Sequence, residues 1–113
     1  MSYNADIMLC VKYDNLKELE EEVIKTTDDN YCIEILEEEE FGKIFIHNVE
    51  VSSCDKMLID LMALAFRYKA CIVQYGEDGE VETTHSDLFE RETGISAVVE
   101  YHGEDIGFDV AFN

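Results

Sequence analysis

The sequence predicts an α+β fold in one domain spanning residues 1–113, built on an antiparallel sheet with helices on one face. The length of 113 residues suits a single domain, because domains usually have about 100 to 200 residues. Hydrophobic residues make up 47% of the chain, which is enough to build a core. Short apolar runs alternate with stretches of helical periodicity, and this predicts the element order β-α-β-β-α-β-α-β-β.

The first strand and the first helix follow directly from local patterning. Residues 7–11 are continuously apolar, which is typical of a short central strand buried on both faces. Asp14 is a suitable helix N-cap, and beyond it apolar residues recur at helical spacing while charged residues occupy the other face. We expect this helix to end near Thr26, before the turn-prone residues 28–30.

The next segments predict a hairpin followed by an unusually apolar helix. Strands are expected over residues 31–37 and 43–51, joined by a loop at 38–42. A helix over 54–69, capped by Ser52 or Ser53, is apolar nearly all round, so it must be covered on several sides. It is either a central packed helix or an interface with a partner or a second copy in a homodimer. The interface candidates are Met57, Met62, Leu64 and Phe66.

The carboxyl-terminal third predicts a strand, a turn, a short helix stopped by Gly94, and a closing hairpin. These elements correspond to residues 71–75, 76–79, 86–92, 96–101 and 106–112. The first six elements of the chain match the split βαβ, ferredoxin-like arrangement βαββαβ. The sequence therefore predicts a ferredoxin-like sheet extended by a short helix and a carboxyl-terminal β-hairpin.

The charge of the chain is large and unevenly distributed. The formal net charge is -19, whereas solubility alone requires a magnitude of roughly 2 to 8 in a small domain. Residues 14–40 and 77–113 each carry a net charge of -10, and residues 41–76 carry +1. Because like charges at this density repel, the excess indicates recognition of a basic surface or an acid-biased proteome.

A nucleic-acid binding channel is the most strongly basic surface that such a chain could match, because DNA carries about one charge per 1.7 Å of its axis. Direct binding of nucleic acid is excluded as a default by the same negative charge. We expect the partner to be a basic nucleic-acid-binding protein, contacted by exposed carboxylates. The candidate partner-binding residues are Glu18, Glu21, Glu22, Glu37, Glu38, Glu39, Glu40, Asp78 and Glu80.

The acidic runs at residues 20–22 and 37–40, in a small single domain, resemble the nucleic-acid mimics of phages and mobile elements. This resemblance to anti-CRISPR and antirestriction proteins is one of composition and covers the whole chain. It implies a stoichiometric inhibitor that blocks the DNA- or RNA-binding surface of a nuclease complex, such as a CRISPR effector. It transfers no residue roles.

Two other classes of protein stay open. One is an immunity protein that neutralises a basic nuclease toxin, which is also small and acidic. The other is a small ligand-binding or enzymatic ferredoxin-like module. The chain shows no signal peptide and no apolar stretch of about 18 residues, so we expect a cytoplasmic protein, in the host cytoplasm if a phage encodes it.

No pattern of residues predicts an enzyme, a cofactor or a metal site. The four Cys and three His lack zinc-site spacing. Gln74 lies five residues before Gly79, where a calcium loop of the EF-hand type would need an acid. The cysteines lie in apolar surroundings, which favours reduced core thiols, and His47 lies within a predicted strand. We therefore expect neither a catalytic residue nor a bound metal.

Overall fold

The computed structural model describes residues 3–28, 30–51, 55–84, 86–101 and 108–112. The predicted caps Ser52 and Ser53 and the predicted turn near Gly103 lie outside these ranges. The described elements are β1 (Asn4–Lys12), α1 (Tyr13–Thr27), β2 (Ile33–Glu37), β3 (Phe41–Glu50), α2 (Asp55–Arg67), β4 (Cys71–Gly76), β5 (Val81–Thr84), α3 (Ser86–Thr93), β6 (Ala97–Tyr101) and β7 (Phe108–Phe112).

Five strands form the main sheet in the order β2-β3-β1-β4-β5, and every neighbouring pair is antiparallel. The α+β class with an antiparallel sheet is confirmed. The strand order differs from the predicted unit because β5 pairs with β4 at one edge, and the sequence analysis missed this strand. At four residues, Val-Glu-Thr-Thr, β5 is too short to show a clear alternation, and it is specified by the tight turn that folds it back onto β4.

The two faces of the sheet are covered by different parts of the chain. On one face, Ile7 and Leu9 of β1 pack with α1 and α2. On the other face, Met8 and Cys10 pack with Phe89 of α3 and with the hairpin β6–β7, which forms a separate two-stranded sheet. The expectation that the two helices of the βαββαβ unit cover one face holds for α1 and α2, and the added helix α3 lies on the other face. Since residues 7–11 are fully buried, the prediction of a central strand covered on both sides is confirmed.

Local sequence signals predicted the end of α3 correctly but not the start of α1. Asp14 is not the N-cap of α1, because the helix begins at Tyr13, whose backbone N–H donates to the carbonyl of Glu40 at 2.8 Å. A neighbouring turn therefore satisfies one of the first N–H groups of the helix, which have no partner within it. By contrast, α3 ends at Thr93, and Gly94 follows with φ of +74°, as the sequence predicted.

The helix α2 is packed on one side and exposed on the other. Leu61, Leu64 and Ala65 are buried against the core, whereas Ile59 and Phe66 are 65% and 61% exposed. Leu64 is thus a core residue and not an interface residue, and Met57 and Met62 pack against the same core. The prediction of a central packed helix therefore applies to the inner side of α2. A homodimer formed through its outer side stays a prediction.

Gly42 of β3 allows the closest approach of α1 to the sheet. A Cβ at this position would lie closer than 3.0 Å to three atoms of Leu16, a side chain that is only 3% exposed. Because Leu16 has no room to move, we expect Gly42→Ala to lower the free energy of unfolding by about 1–3 kcal/mol, measured by urea denaturation. In a Leu16→Ala background the same substitution should cost much less; an equal cost in both backgrounds would exclude this contact as the cause.

Candidate functional site

The candidate site is an acidic surface, and its longest part is the outer side of α1. Asp14, Glu18 and Glu21 are exposed and follow one another at spacings of four and three residues. Side chains at these spacings lie on the same face of a helix. Glu22 is half-buried and forms an ion pair with Lys25, with 3.7 Å between Oε1 and Nζ. Glu18 and Glu21 therefore present their charge to solvent, whereas that of Glu22 is partly matched within the helix.

The turn between β2 and β3 continues this surface. Residues 37–40 are all exposed. The register pairs Phe41 with Lys12, so the turn lies at the end of the sheet where α1 begins, and the backbone hydrogen bond from Tyr13 to Glu40 joins the two. The structure thus brings two acidic segments together into what we call the α1–turn surface. Its exposed members are Asp14, Glu18, Glu21, Glu37, Glu39 and Glu40.

Glu38 differs from its neighbours because it binds a buried lysine. Lys43 is 4% exposed, and its Nζ lies 3.2 Å from Oε1 of Glu38 and 3.2 Å from Oδ1 of Asp109. The same Nζ lies 5.2 Å from the centre of the Phe112 ring. Burial by itself lowers the pKa of Lys43, but the two carboxylates outweigh it and raise that pKa above its ordinary value. Glu38 therefore helps to fix the β6–β7 hairpin to the sheet.

Asp78 and Glu80 lie at the opposite end of the sheet. They belong to the turn after β4, and the register pairs Gly76 with Ala5, near the start of β1. At about 3.3 Å per residue, that end is roughly 20 Å along β1 from the α1–turn surface. The structure therefore separates these two predicted residues from residues 37–40 of the β2–β3 turn.

The carboxylate of Asp78 is held within its own turn. It accepts hydrogen bonds from the hydroxyl of Tyr3 at 2.6 Å and from the backbone N–H of Glu80 at 3.0 Å. These bonds, with that of Tyr3 the stronger, lower the pKa of Asp78. Conversely, the bond to Asp78 and the nearby negative charge raise the pKa of Tyr3 to about 12. Asp78 is thus ordered and ionised at neutral pH.

The Tyr3–Asp78 hydrogen bond predicts an unusual tyrosine titration. Because the pKa of Tyr3 is raised above its ordinary value of 10.0, the contribution of the bond to stability is complete below pH 10 and is lost as the pH rises toward 12. At about pH 11, we expect the native protein and Tyr3→Phe to show the same tyrosinate absorbance, since Tyr3 stays protonated. Asp78→Asn should add the signal of nearly one further tyrosinate. A smaller tyrosinate signal in Tyr3→Phe than in the native protein would contradict the prediction.

A cleft of about 330 Å³ opens within the α1–turn surface. Tyr13, which is 49% exposed, lies on the α1 side, and Glu39 lies on the side of the turn. The complete lining is Lys12, Tyr13, Asp14, Glu39, Glu40, Phe41 and Thr93. No local sequence pattern predicts this cleft or the place of Asp14 in it, because three separate segments of the chain form it.

The cleft also shows how the two acidic blocks of the sequence meet. Thr93 is the last residue of α3, so the carboxyl end of this helix lies beside the start of α1. Glu90 on the last turns of α3 is exposed, whereas Glu92 pairs with Lys69 at 3.2 Å. Among the described residues of the second block, Asp78 and Glu80 lie at the far end of the sheet, whereas the carboxyl end of α3 adjoins the α1–turn surface. Asp109 also lies near the β2–β3 turn, because it shares Lys43 with Glu38.

Other chemical groups are arranged in small, local contacts. Nε2 of His47 lies 3.1 Å from Oε1 of Glu34 on the adjacent strand, in agreement with the strand position predicted for this histidine. Within the ranges that the structure describes, no group of three or more His, Cys, Asp and Glu side chains is placed to hold a metal ion. None of the helices in these ranges is both long enough and apolar enough to cross a membrane.

Comparison of the chain with protein-family models, with curated proteins and with solved structures finds no match. The geometry of the α1–turn surface is therefore the basis for a functional proposal.

Proposed function

We propose that the protein is a stoichiometric inhibitor of the anti-CRISPR or anti-defence type, which acts in the cytoplasm as an acidic mimic of nucleic acid. It would occupy the DNA- or RNA-binding surface of a nuclease complex without binding nucleic acid itself. The observation that carries this proposal is the junction of α1 with the β2–β3 turn, where the exposed residues Asp14, Glu39 and Glu40 line one cleft. Opposite this surface, a phosphate-binding channel would present Lys and Arg.

The support of the sheet makes this surface suitable for mimicry. Leu16 and Leu19 on the inner side of α1 are buried, so the helix is held while its outer carboxylates face solvent. Carboxylates three and four residues apart on a helix have their Cβ atoms about 5–6 Å apart, so α1 presents closely spaced negative charges on one side. We also propose that the sheet is a ferredoxin-like unit formed by β1-α1-β2-β3-α2-β4, to which β5, α3 and the hairpin are added.

The cleft gives the proposed contact a specific centre. It combines the Tyr13 ring with the carboxylates of Asp14, Glu39 and Glu40. A guanidinium or ammonium group is attracted both to carboxylates and to the face of an aromatic ring. We therefore expect an Arg or Lys side chain of the partner to insert between α1 and the turn.

Charge reversal tests the proposal with a matched control. The test variant combines Glu37→Lys, Glu39→Lys and Glu40→Lys, and it leaves Glu38 in place because Glu38 binds Lys43. The control variant carries Glu77→Lys, Glu82→Lys and Glu100→Lys, which change the net charge equally at exposed positions outside the α1–turn surface. Circular dichroism and urea denaturation establish that both variants are folded.

Each protein is immobilised and incubated with host lysate at about 50 mM salt, then washed at about 200 mM. The proposal requires capture of a nucleic-acid-binding protein, its release as salt rises, and competition by duplex DNA. The test variant should lose at least tenfold in capture while the control retains it, since each lost contact weakens binding and reduces its salt dependence. Equal capture by the two variants, or no basic partner at low salt, would refute the proposed surface.

A further inference from the structure

Two cysteines lie directly opposite each other at the centre of the sheet. Cys10 of β1 and Cys71 of β4 are register partners on adjacent antiparallel strands. Both belong to the same apolar cluster, so their side chains lie on the same face of the sheet. Residues directly opposite in antiparallel strands have Cα atoms about 4.5–5.5 Å apart, which falls within the roughly 4.4–6.8 Å that disulfides span. Both cysteines are free thiols in the structure.

The thiols are enclosed by the elements that cover this face. Cys10 and Cys71 are fully buried, and Phe89 of α3 and Val110 of β7 pack in the same cluster. We call α3 and the β6–β7 hairpin the cover. Burial raises the pKa of both thiols, to about 11 for Cys71, so the closed protein holds them in the unreactive protonated form.

The cover is attached to the sheet partly by polar contacts that water can replace. Asp109 of β7 is paired with Lys43, and Glu92 of α3 is paired with Lys69, with both carboxylate side chains 37% exposed. The hairpin forms its own two-stranded sheet, and its described residues, 97–101 and 108–112, share no strand pairing with the five-stranded sheet. Units attached in this way open more readily than the central strands, and opening would admit water and an oxidant to both thiols.

We propose that Cys10 and Cys71 are an oxidation site at which a cross-strand disulfide forms when the cover opens in the presence of a small-molecule disulfide. One protein thiol loses its proton and attacks a sulfur of the small disulfide, whose S–S bond breaks to release one small thiol. The second protein thiol, also deprotonated, attacks the mixed disulfide and releases the other. Two protein thiols are oxidised, and one small disulfide is reduced to two thiols that carry the two protons.

This oxidation would have a structural consequence independent of the acidic surface. The disulfide would close a loop that contains α1, β2, β3 and α2, and so restrict the unfolded chain. The paired central strands already have the register that the bond requires. The site therefore allows oxidation of the folded protein without rearrangement of the sheet.

The experiment uses the full chain with Cys32→Ser and Cys54→Ser, which leaves only Cys10 and Cys71. The protein is incubated with oxidised glutathione in native buffer, quenched with acid, and analysed by intact mass. We expect a loss of about 2 Da, the two hydrogens removed by disulfide formation. Adding Cys10→Ala or Cys71→Ala should abolish this loss and leave a mixed disulfide with glutathione.

Loosening the cover tests the proposed route to the thiols. Asp109→Asn weakens the pairing with Lys43 and should speed disulfide formation about tenfold, while circular dichroism stays unchanged. Urea below the unfolding transition should have the same effect, and it replaces the variant if Asp109→Asn fails to fold. The proposal is overturned if the thiols stay reduced under all these conditions, or if the disulfide forms only in step with global unfolding.

Discussion

Phe89→Ala should lower the free energy of unfolding by about 3–5 kcal/mol, the range for loss of a buried aromatic ring. Phe89 is fully buried on α3, and its ring centre lies 5.7 Å from that of Phe41 and 5.8 Å from that of Phe112. Its removal would leave a cavity between the sheet and the cover. Urea denaturation followed by circular dichroism measures the change.

Phe66→Ala is the matched control, because it removes the same atoms from a side chain that is 61% exposed on α2. We expect it to cost less than about 1 kcal/mol, as is usual for exposed positions away from special features. If the two substitutions had equal effects, α3 would not be packed on the sheet as described. A larger effect of Phe66→Ala would instead place the outer side of α2 in an interface, such as the predicted homodimer.

Lys43→Met should lower the free energy of unfolding by about 2–3 kcal/mol. Methionine retains the length of the side chain and its apolar contacts, so the loss isolates the ammonium group. Without this cation, the carboxylates of Glu38 and Asp109 would face each other unneutralised, and they are 47% and 37% exposed. Because water still reaches both, the cost stays below that of a fully buried ion pair.

Lys56→Met provides the control at a surface ion pair. The Lys56 side chain is 94% exposed, and its Nζ lies 3.9 Å from Oδ2 of Asp60. We expect Lys56→Met to lower the free energy of unfolding by less than about 0.5 kcal/mol at neutral pH, since exposed ion pairs contribute little to stability. Similar decreases in the free energy of unfolding for Lys43→Met and Lys56→Met would show that the attachment of the hairpin does not depend on Lys43.

The pH dependence of the Lys43 contribution has a definite sign. The pKa of Lys43 in the folded protein is raised above its ordinary value of 10.5. A group whose pKa is raised by folding contributes fully to stability below the pKa that it has in the unfolded chain. It loses that contribution as the pH rises through its pKa in the folded protein. The difference in the free energy of unfolding between the native protein and Lys43→Met should therefore be constant across neutral pH and shrink only above about pH 10.5.

The elements defined by local pattern were largely predictable. The continuous apolar run at residues 7–11 predicted burial on both faces of β1. In the structure these residues are fully buried, and they alternate between the apolar clusters on the two faces of the sheet. Gly94 predicted the end of α3, since few other residues adopt its positive φ without strain. The concentration of acid at residues 14–40 likewise predicted that α1 and the β2–β3 turn would carry the candidate surface.

Other features depend on pairings between distant residues. The register of β1 with β3 and β4 placed residues 37–40 beside α1 and sent Asp78 to the far end of the sheet. The packing of the β6–β7 hairpin on the sheet placed Lys43 between Glu38 and Asp109, and the pairing of β1 with β4 placed Cys10 opposite Cys71.

The sequence by itself determined the fold class, most elements and the negative surface, because local periodicity and composition record which residues are buried and which are solvated. Only the tertiary structure decided which carboxylates share a surface, which one neutralises a buried lysine, and which cysteines face each other. The physical reason is that strand register and the packing of the cover are set by contacts between segments far apart in the chain, and no local pattern encodes them.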